Sequence, residues 1–164
     1  MTAQAEPSTS STLNVLYVED YPPSATLVRH TLARRAPNIR LEAVTTVAQA
    51  IERLNLFEHG RDSSALAETM RTPRFDAVLT DLNLPDGSGL DILAHVRHRR
   101  LSLAVVVMSS STEEDTAAGV LRAGADAYLP KRDDYLTRLP QVLYAAVANL
   151  AADAVRVSNE APPA

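Results

Sequence analysis

The sequence predicts an α/β fold in which five parallel strands form one sheet with helices on both faces. Three observations carry that expectation. Short apolar runs rich in Val, Ile and Leu alternate with segments of helical period, the pattern of successive βα units. The 164 residues, 46% apolar and 22% charged, suit one compact domain and leave little room for a second, so no output module of useful size is expected. Four of the apolar runs stop at a reactive side chain, namely Glu19-Asp20, Asp81, Ser109 and Lys131.

Each element can be justified in order. Residues 1–12 are Ser/Thr/Ala-rich without apolar period, and residues 156–164 run into Pro162-Pro163; both are expected to be disordered tails around a domain at 13–155. The first strand is Leu13–Val18. Pro22-Pro23 then opens a helix to about Ala36, where first-turn amides need no partner. A second strand is expected at Ile39–Ala43 and a helix from Val47 to Phe57. Residues 58–74 read as an irregular surface excursion with room for a short helix at Leu66–Met70. The third strand is Phe75–Thr80, and the loop from Leu82 to Gly87 turns into a helix over Ser88–Arg99. The block Arg97-His98-Arg99-Arg100 reads as its solvated end. The fourth strand is Leu103–Met108. Thr112 with Asp115, or Ser111 with Glu114, has capping-box spacing and starts a helix to Ala123, with Gly124 ending it in a left-handed conformation. The fifth strand is Ala127–Leu129, and the last helix is expected over Thr137–Val155, which places Pro140 in its first turn.

Composition excludes several function classes. Zero cysteines rule out a disulfide framework, a thiol nucleophile and a thiolate metal site. The longest clean apolar run, Leu103–Met108, is far too short to span a bilayer, so a soluble cytoplasmic protein without membrane contact is expected. A net charge of -4 without a long basic block argues against nucleic acid. Of the 16 basic residues only Lys131 is lysine, in a chain that otherwise writes arginine.

In an open parallel sheet, ligands bind outside the carboxyl ends of the strands, so the side chains that end the runs converge. Taken singly, an acid there is more often a loop or cap residue, and Ser109 more often a cap. Glu19, Asp20 and Asp81 in one cleft would repel unless a cation neutralised them. With neither thiol nor nearby histidine, hard oxygen ligands suit Mg²⁺ or Mn²⁺. Asp81 is then the natural nucleophile toward phosphorus, with the metal, Lys131 and a hydroxyl sharing the charge on the equatorial oxygens.

The segments Val15–Asp20, Asp76–Leu90 and Ala123–Lys131 together resemble the receiver domain of bacterial two-component response regulators, over about Leu13 to Ala152. The resemblance implies a flavodoxin-like (βα)5 fold of strand order 2-1-3-4-5. It implies Asp81 as phosphoacceptor, Glu19 and Asp20 as the acidic pair with Asp20 the direct magnesium ligand, and the backbone carbonyl of Asn83 as a further ligand. Ser109 would be the switch hydroxyl, Lys131 the phosphate contact and Tyr128 the switch aromatic. A sensor histidine kinase or phosphotransfer protein would donate the phosphoryl group, and the chain would catalyse only its own phosphorylation and dephosphorylation.

Departures from the family pattern carry their own expectations. Arg132 stands where the family usually has a cis-linked proline, so a trans Lys131-Arg132 bond and a different loop path are expected. Small Ser110 and Ser111 suggest moderate self-dephosphorylation. The wording Lys131–Leu136 resembles stand-alone receivers that pair with phytochrome-type kinases.

In the last helix, Leu136, Leu139, Leu143, Val147 and Leu150 form the stripe expected to face the sheet. A second stripe, Tyr144, Ala148, Ala151 and Val155, suggests either plain helix surface or a homodimer seam. Two other functions compete with the phosphoacceptor. A phosphatase of the aspartyl-phosphate class needs an aspartate where Asn83 stands, and a non-phosphorylated scaffold has no use for the charge cluster.

Overall fold

A computed structural model of the chain describes residues 12–59, 75–111 and 113–160. The order of elements is β1 (Leu13–Val18), α1 (Pro22–Arg35), β2 (Ile39–Val44), α2 (Val47–His59), β3 (Ala77–Asp81), β4 (Asn83–Leu84), β5 (Gly87–Ser88), α3 (Gly89–His98), β6 (Ala104–Ser109), α4 (Glu114–Arg122), β7 (Ala127–Pro130) and α5 (Tyr135–Glu160). The main sheet has five strands in the order β2-β1-β3-β6-β7, all parallel, which is the expected 2-1-3-4-5 once the β4-β5 hairpin is set aside.

The central strands β1, β3 and β6 are buried on both faces, as the middle of an all-parallel sheet under helices must be, while the edge strands β2 and β7 are partly exposed. Alternation along β1 sends Leu16 and Val18 to one core and Leu13, Val15 and Tyr17 to the other. The first core is closed by α2, α3 and Val120 of α4, the second by Val28 and Leu32 of α1 and Leu139, Leu143 and Ala146 of α5. The expected inner stripe of α5 is thus correct: Leu139 and Leu143 are buried, and Leu136, Val147 and Leu150 pack against them.

Several boundaries move for identifiable reasons. Asp81 and Ser109 belong to their strands rather than following them, because their backbones continue the β3–β6 and β6–β7 pairing. The 82–87 loop contains the β4-β5 hairpin, whose Asp86 carboxylate accepts from the Val47 and Ala48 amides (2.8 and 3.0 Å) and caps α2 across the fold. Those two bonds hold the Asp86 carboxyl below its ordinary value. Ser88 is the N-cap of α3, in a capping box with Asp91.

The Ser111–Glu114 capping box expected before α4 is not formed among the described residues. Glu113 is the N-cap without a side-chain bond, and the Ser111 hydroxyl accepts from the Glu113 amide at 3.3 Å. Thr112, with its expected box to Asp115, lies outside the described residues, as do 60–74 of the excursion expected over 58–74, with its 66–70 helix, and the chain ends at 1–11 and 161–164; residues 58 and 59 continue α2 instead. Gly124 takes φ +108°, the left-handed ending the sequence predicts.

Pro140 is not in the first turn. A turn over Arg132–Asp134, with Tyr135 N–H donating to Arg132 and Thr137 N–H to Asp134, starts α5 at Tyr135 and places Pro140 one turn deeper. At its other end α5 runs through Glu160, since nothing in 156–160 breaks a helix, so that stretch is not part of the expected tail. Arg97 is likewise no solvated helix end. Its guanidinium donates to the Leu103 and Gly124 carbonyls and meets Asp126 at 2.7 Å.

Candidate functional site

The strands deliver their terminal side chains to one end of the sheet because parallel pairing keeps all five carboxyl ends together. Glu19 follows β1, and its amide still donates to Val44 of β2. Asp81 closes β3 opposite Met108, the residue before Ser109. Lys131 follows β7, and its amide donates to the Ser109 carbonyl at 2.7 Å. Pro130 fits just before it because β7 is an edge strand, where a missing ladder amide does little harm.

These placements bring the predicted residues together. Carboxylate oxygens of Glu19, Asp20 and Asp81 lie within 4.8 Å of one another, with Glu19 buried, Asp81 half-buried and Asp20 exposed. The Lys131 ammonium donates to Glu19 Oε2 at 2.7 Å and to Asp81 Oδ2 at 3.1 Å. Glu19 Oε1 accepts from the Tyr21 amide at 3.1 Å. Burial alone would depress the Lys131 ammonium, but the hydrogen bond to Glu19 and the charge of Asp81 outweigh it, and its pKa is raised above the ordinary 10.5.

The backbone beneath Asp81 is closely packed. The Thr80 hydroxyl donates to the Asp81 carbonyl at 2.9 Å, and Gly89 passes so near that an added Cβ would lie 2.5 Å from that carbonyl. The Gly89 amide donates to Leu82, which leaves Asn83 on the alternate position of the hairpin, with its carbonyl outside that rung. Three oxygen-bearing acids with one exposed edge, and no sulfur or imidazole, fit a hard divalent cation such as Mg²⁺. Glu19, Asp20, Asp81 and the Asn83 carbonyl are the residues that could hold it.

Ser109 is buried, 1% exposed, and its hydroxyl accepts from the Ser111 amide at 3.1 Å. Tyr128 is half-buried against the α2/α3 core, and its hydroxyl donates to the Ser111 carbonyl at 3.0 Å. One short loop therefore joins the two expected switch residues. The Lys131-Arg132 bond is trans, and the loop departs through Asp133 at φ +52°.

The family model of the response regulator receiver domain matches residues 15–139. The chain belongs to that family. Among curated relatives, the nitrate/nitrite response regulator NarL of Escherichia coli is 34% identical over 117 residues, 71% of this chain and 47% of its own. The chain spans less than half the length of the curated relatives it matches. The receiver domain of a putative LuxO repressor from Vibrio parahaemolyticus superposes with a TM-score of 0.69 at 20% identity, covering 88% of this chain and 96% of that one. The phosphorylated cyanobacterial phytochrome response regulator RcpA gives 0.61 at 25% identity, covering 82% and 90%. Among the described residues of this receiver, no helix is long and apolar enough to cross a membrane.

Sequence reasoning did not single out Tyr17. Its side chain is fully buried, and no described residue partners its hydroxyl. Burial raises the phenol far above its ordinary value, and the nearby charges of Glu19 and Asp81 add to this while Arg29 opposes it. The only signal in the chain is a tyrosine where alternation calls for a plain apolar residue.

The Lys131 contacts have a measurable consequence. Because its pKa is raised on folding, the stability it contributes is complete below about pH 10.5 and is lost as pH climbs through the folded value. Lys131→Met should therefore unfold at lower urea than wild type at pH 7, by about 2 kcal/mol because Glu19 stays buried without its cation. The gap between the two proteins should close above pH 10.5; a gap that is constant or widens there would contradict the assignment.

Proposed function

We propose that this receiver accepts a phosphoryl group on Asp81 from the phosphohistidine of a sensor kinase or phosphotransfer protein. The observation that carries the reading is the ammonium of Lys131 set 3.1 Å from Asp81 Oδ2 beside a cluster of three carboxylates. An Asp81 oxygen attacks phosphorus, the P–N bond to the donor imidazole breaks, and the imidazole leaves as the neutral base after taking up a proton. Bound Mg²⁺, or Mn²⁺, supplies charge neutralisation and orientation for the phosphoryl oxygens.

The rest of the chemistry belongs to the chain's own groups. Asp20, Asp81, Glu19 and the Asn83 carbonyl form the cation's protein shell. Lys131, a compact point charge, holds one phosphoryl oxygen. Ser109 turns its hydroxyl from the Ser111 amide to a second oxygen, and the loop movement reaches Tyr128 through the bond between its hydroxyl and the Ser111 carbonyl. The added charge of about -1.5 to -2 and its three acceptor oxygens supply the differential contacts that shift the equilibrium. Ser110 is exposed beside the site and too small to block water, in keeping with moderate self-dephosphorylation.

The likeness to RcpA supports a phytochrome-type kinase as the donor; the cytoplasm, where such a donor domain would meet it, is the proposed location. A homodimer through α5 is the proposed output, since Tyr144 is 39% exposed and Ala148 and Ala151 are exposed beside it on the outer face, with Val155 further along the helix. A non-phosphorylated scaffold or an aspartyl-phosphate phosphatase is the competing function, and both are open to direct test.

With Mg²⁺ and a small phosphodonor, mass spectrometry should show one base-labile phosphate on the wild type, at least a hundredfold less on Asp81→Asn, and little without the metal. Equal labelling of the two proteins would remove Asp81 from the role, and no labelling of either would favour the scaffold. Continuous phosphate release from an unrelated phosphomonoester would favour the phosphatase. In light scattering, charged replacements of Tyr144 and Val155 should convert a dimer to monomer; a wild type monomeric in both phosphorylation states would refute the α5 seam.

A further inference from the structure

Tyr17 occupies a particular place relative to the acidic site. It pairs with Leu79 across β1 and β3, and both face the α1/α5 core. Alternation puts the residues two further along each chain, Glu19 and Asp81, on that same face, roughly 7 Å up the sheet. Tyr17 therefore shares a sheet face with the two acids, one strand repeat below them, and the charges of both Glu19 and Asp81 act on its phenol. Its hydroxyl is 0% exposed to solvent and has no hydrogen-bond partner among the described residues. Buried hydroxyls almost always find one, so an unpaired one points to an acceptor that arrives in another state.

Glu19 has the matching need. Its side chain is only 1% exposed and cannot turn to bulk water. Its two oxygens are held by the Tyr21 amide and by Lys131. The Lys131 ammonium reaches both Glu19 and Asp81, and a phosphoryl group on Asp81 would compete for it with a larger charge. Loss of Lys131 would leave Glu19 Oε2 buried and short of a donor, with the Tyr17 hydroxyl the unpaired donor below it.

We infer that Tyr17 is a positioning residue of the phosphorylated state: when Lys131 moves from Glu19 to the phosphoryl group, the Tyr17 hydroxyl donates to the Glu19 carboxylate in its place. This rests on the phosphoacceptor reading of Asp81. The exchange keeps Glu19 oriented toward the cation while Lys131 is engaged elsewhere. It also gives the phosphorylated state a hydrogen bond that the unphosphorylated state lacks, so Tyr17 favours that state without touching the phosphoryl group.

The test uses the full chain labelled with ¹³Cζ-tyrosine and ¹³Cε-lysine, titrated with beryllium trifluoride in Mg²⁺ as a phosphoryl mimic. The lysine signal belongs to Lys131 alone, since the chain has no other. In wild type the Lys131 and Tyr17 signals should shift together, the latter assigned by its loss in Tyr17→Phe. The variant should bind the mimic roughly tenfold more weakly, the loss of one hydrogen bond to a charged group. It should be at least as stable as wild type without the mimic, because it sheds an unpaired hydroxyl. A Lys131 shift with a stationary Tyr17 signal, or equal affinity in the two proteins, would overturn the inference and leave the phosphoacceptor reading intact. Failure of the wild type to take up the mimic, with Lys131 unmoved, would overturn both. Should Tyr17→Phe not fold, the Tyr17 signal is assigned as the one retained in each of Tyr21→Phe, Tyr128→Phe, Tyr135→Phe and Tyr144→Phe, and its response to the mimic decides alone.

Discussion

The ammonium of Lys131 between Glu19 and Asp81 is the interaction on which the candidate site depends. Three carboxylates within 4.8 Å of one another would otherwise raise each other's free energy, and one of them, Glu19, has almost no access to water. A single cation on a flexible stem offsets that repulsion while remaining free to change partners. An arginine fork would bind one carboxylate more rigidly and reach a second less easily, which gives a physical reason for the chain's one lysine to stand here.

The sheet makes this contact inevitable. Parallel pairing from β2 to β7 keeps every carboxyl end on one edge, and cores on both faces fix the strands so that the terminal side chains cannot spread. The loops then set the details. Gly89 lets α3 close against the Asp81 carbonyl, the Asp86 carboxylate ties the same loop to α2, and the Lys131 amide is anchored on Ser109. Stability and site geometry thus share the same bonds, so a change in the 82–89 loop would be felt at Asp81.

Much of this was legible in the sequence because burial on both faces leaves uninterrupted apolar runs, and the residues that end them mark the strand ends. Asp20, Asp81 and Lys131 were found that way, and the family resemblance supplied the strand order. Local capping was harder to read. Ser111 has capping-box spacing to Glu114 but Glu113 is the cap of α4, while the same spacing at Ser88-x-x-Asp91 is a real capping box. Periodicity puts the start of α5 two residues late, at Thr137, because the Arg132–Asp134 turn feeds the helix directly from Tyr135. The capping of α2 by Asp86 is a contact between distant segments, and spacing along a chain carries no trace of it.

The proposed divalent-cation pocket around Asp81 is built from strand ends far apart in sequence. Paramagnetic broadening by substoichiometric Mn²⁺ in an amide NMR spectrum tests this most directly. The account predicts selective loss of signals around Glu19-Asp20, Asp81–Asn83 and Lys131, reversed by excess Mg²⁺ and absent in Asp20→Asn. Broadening confined to other acidic surfaces, or spread evenly over the chain, would contradict it.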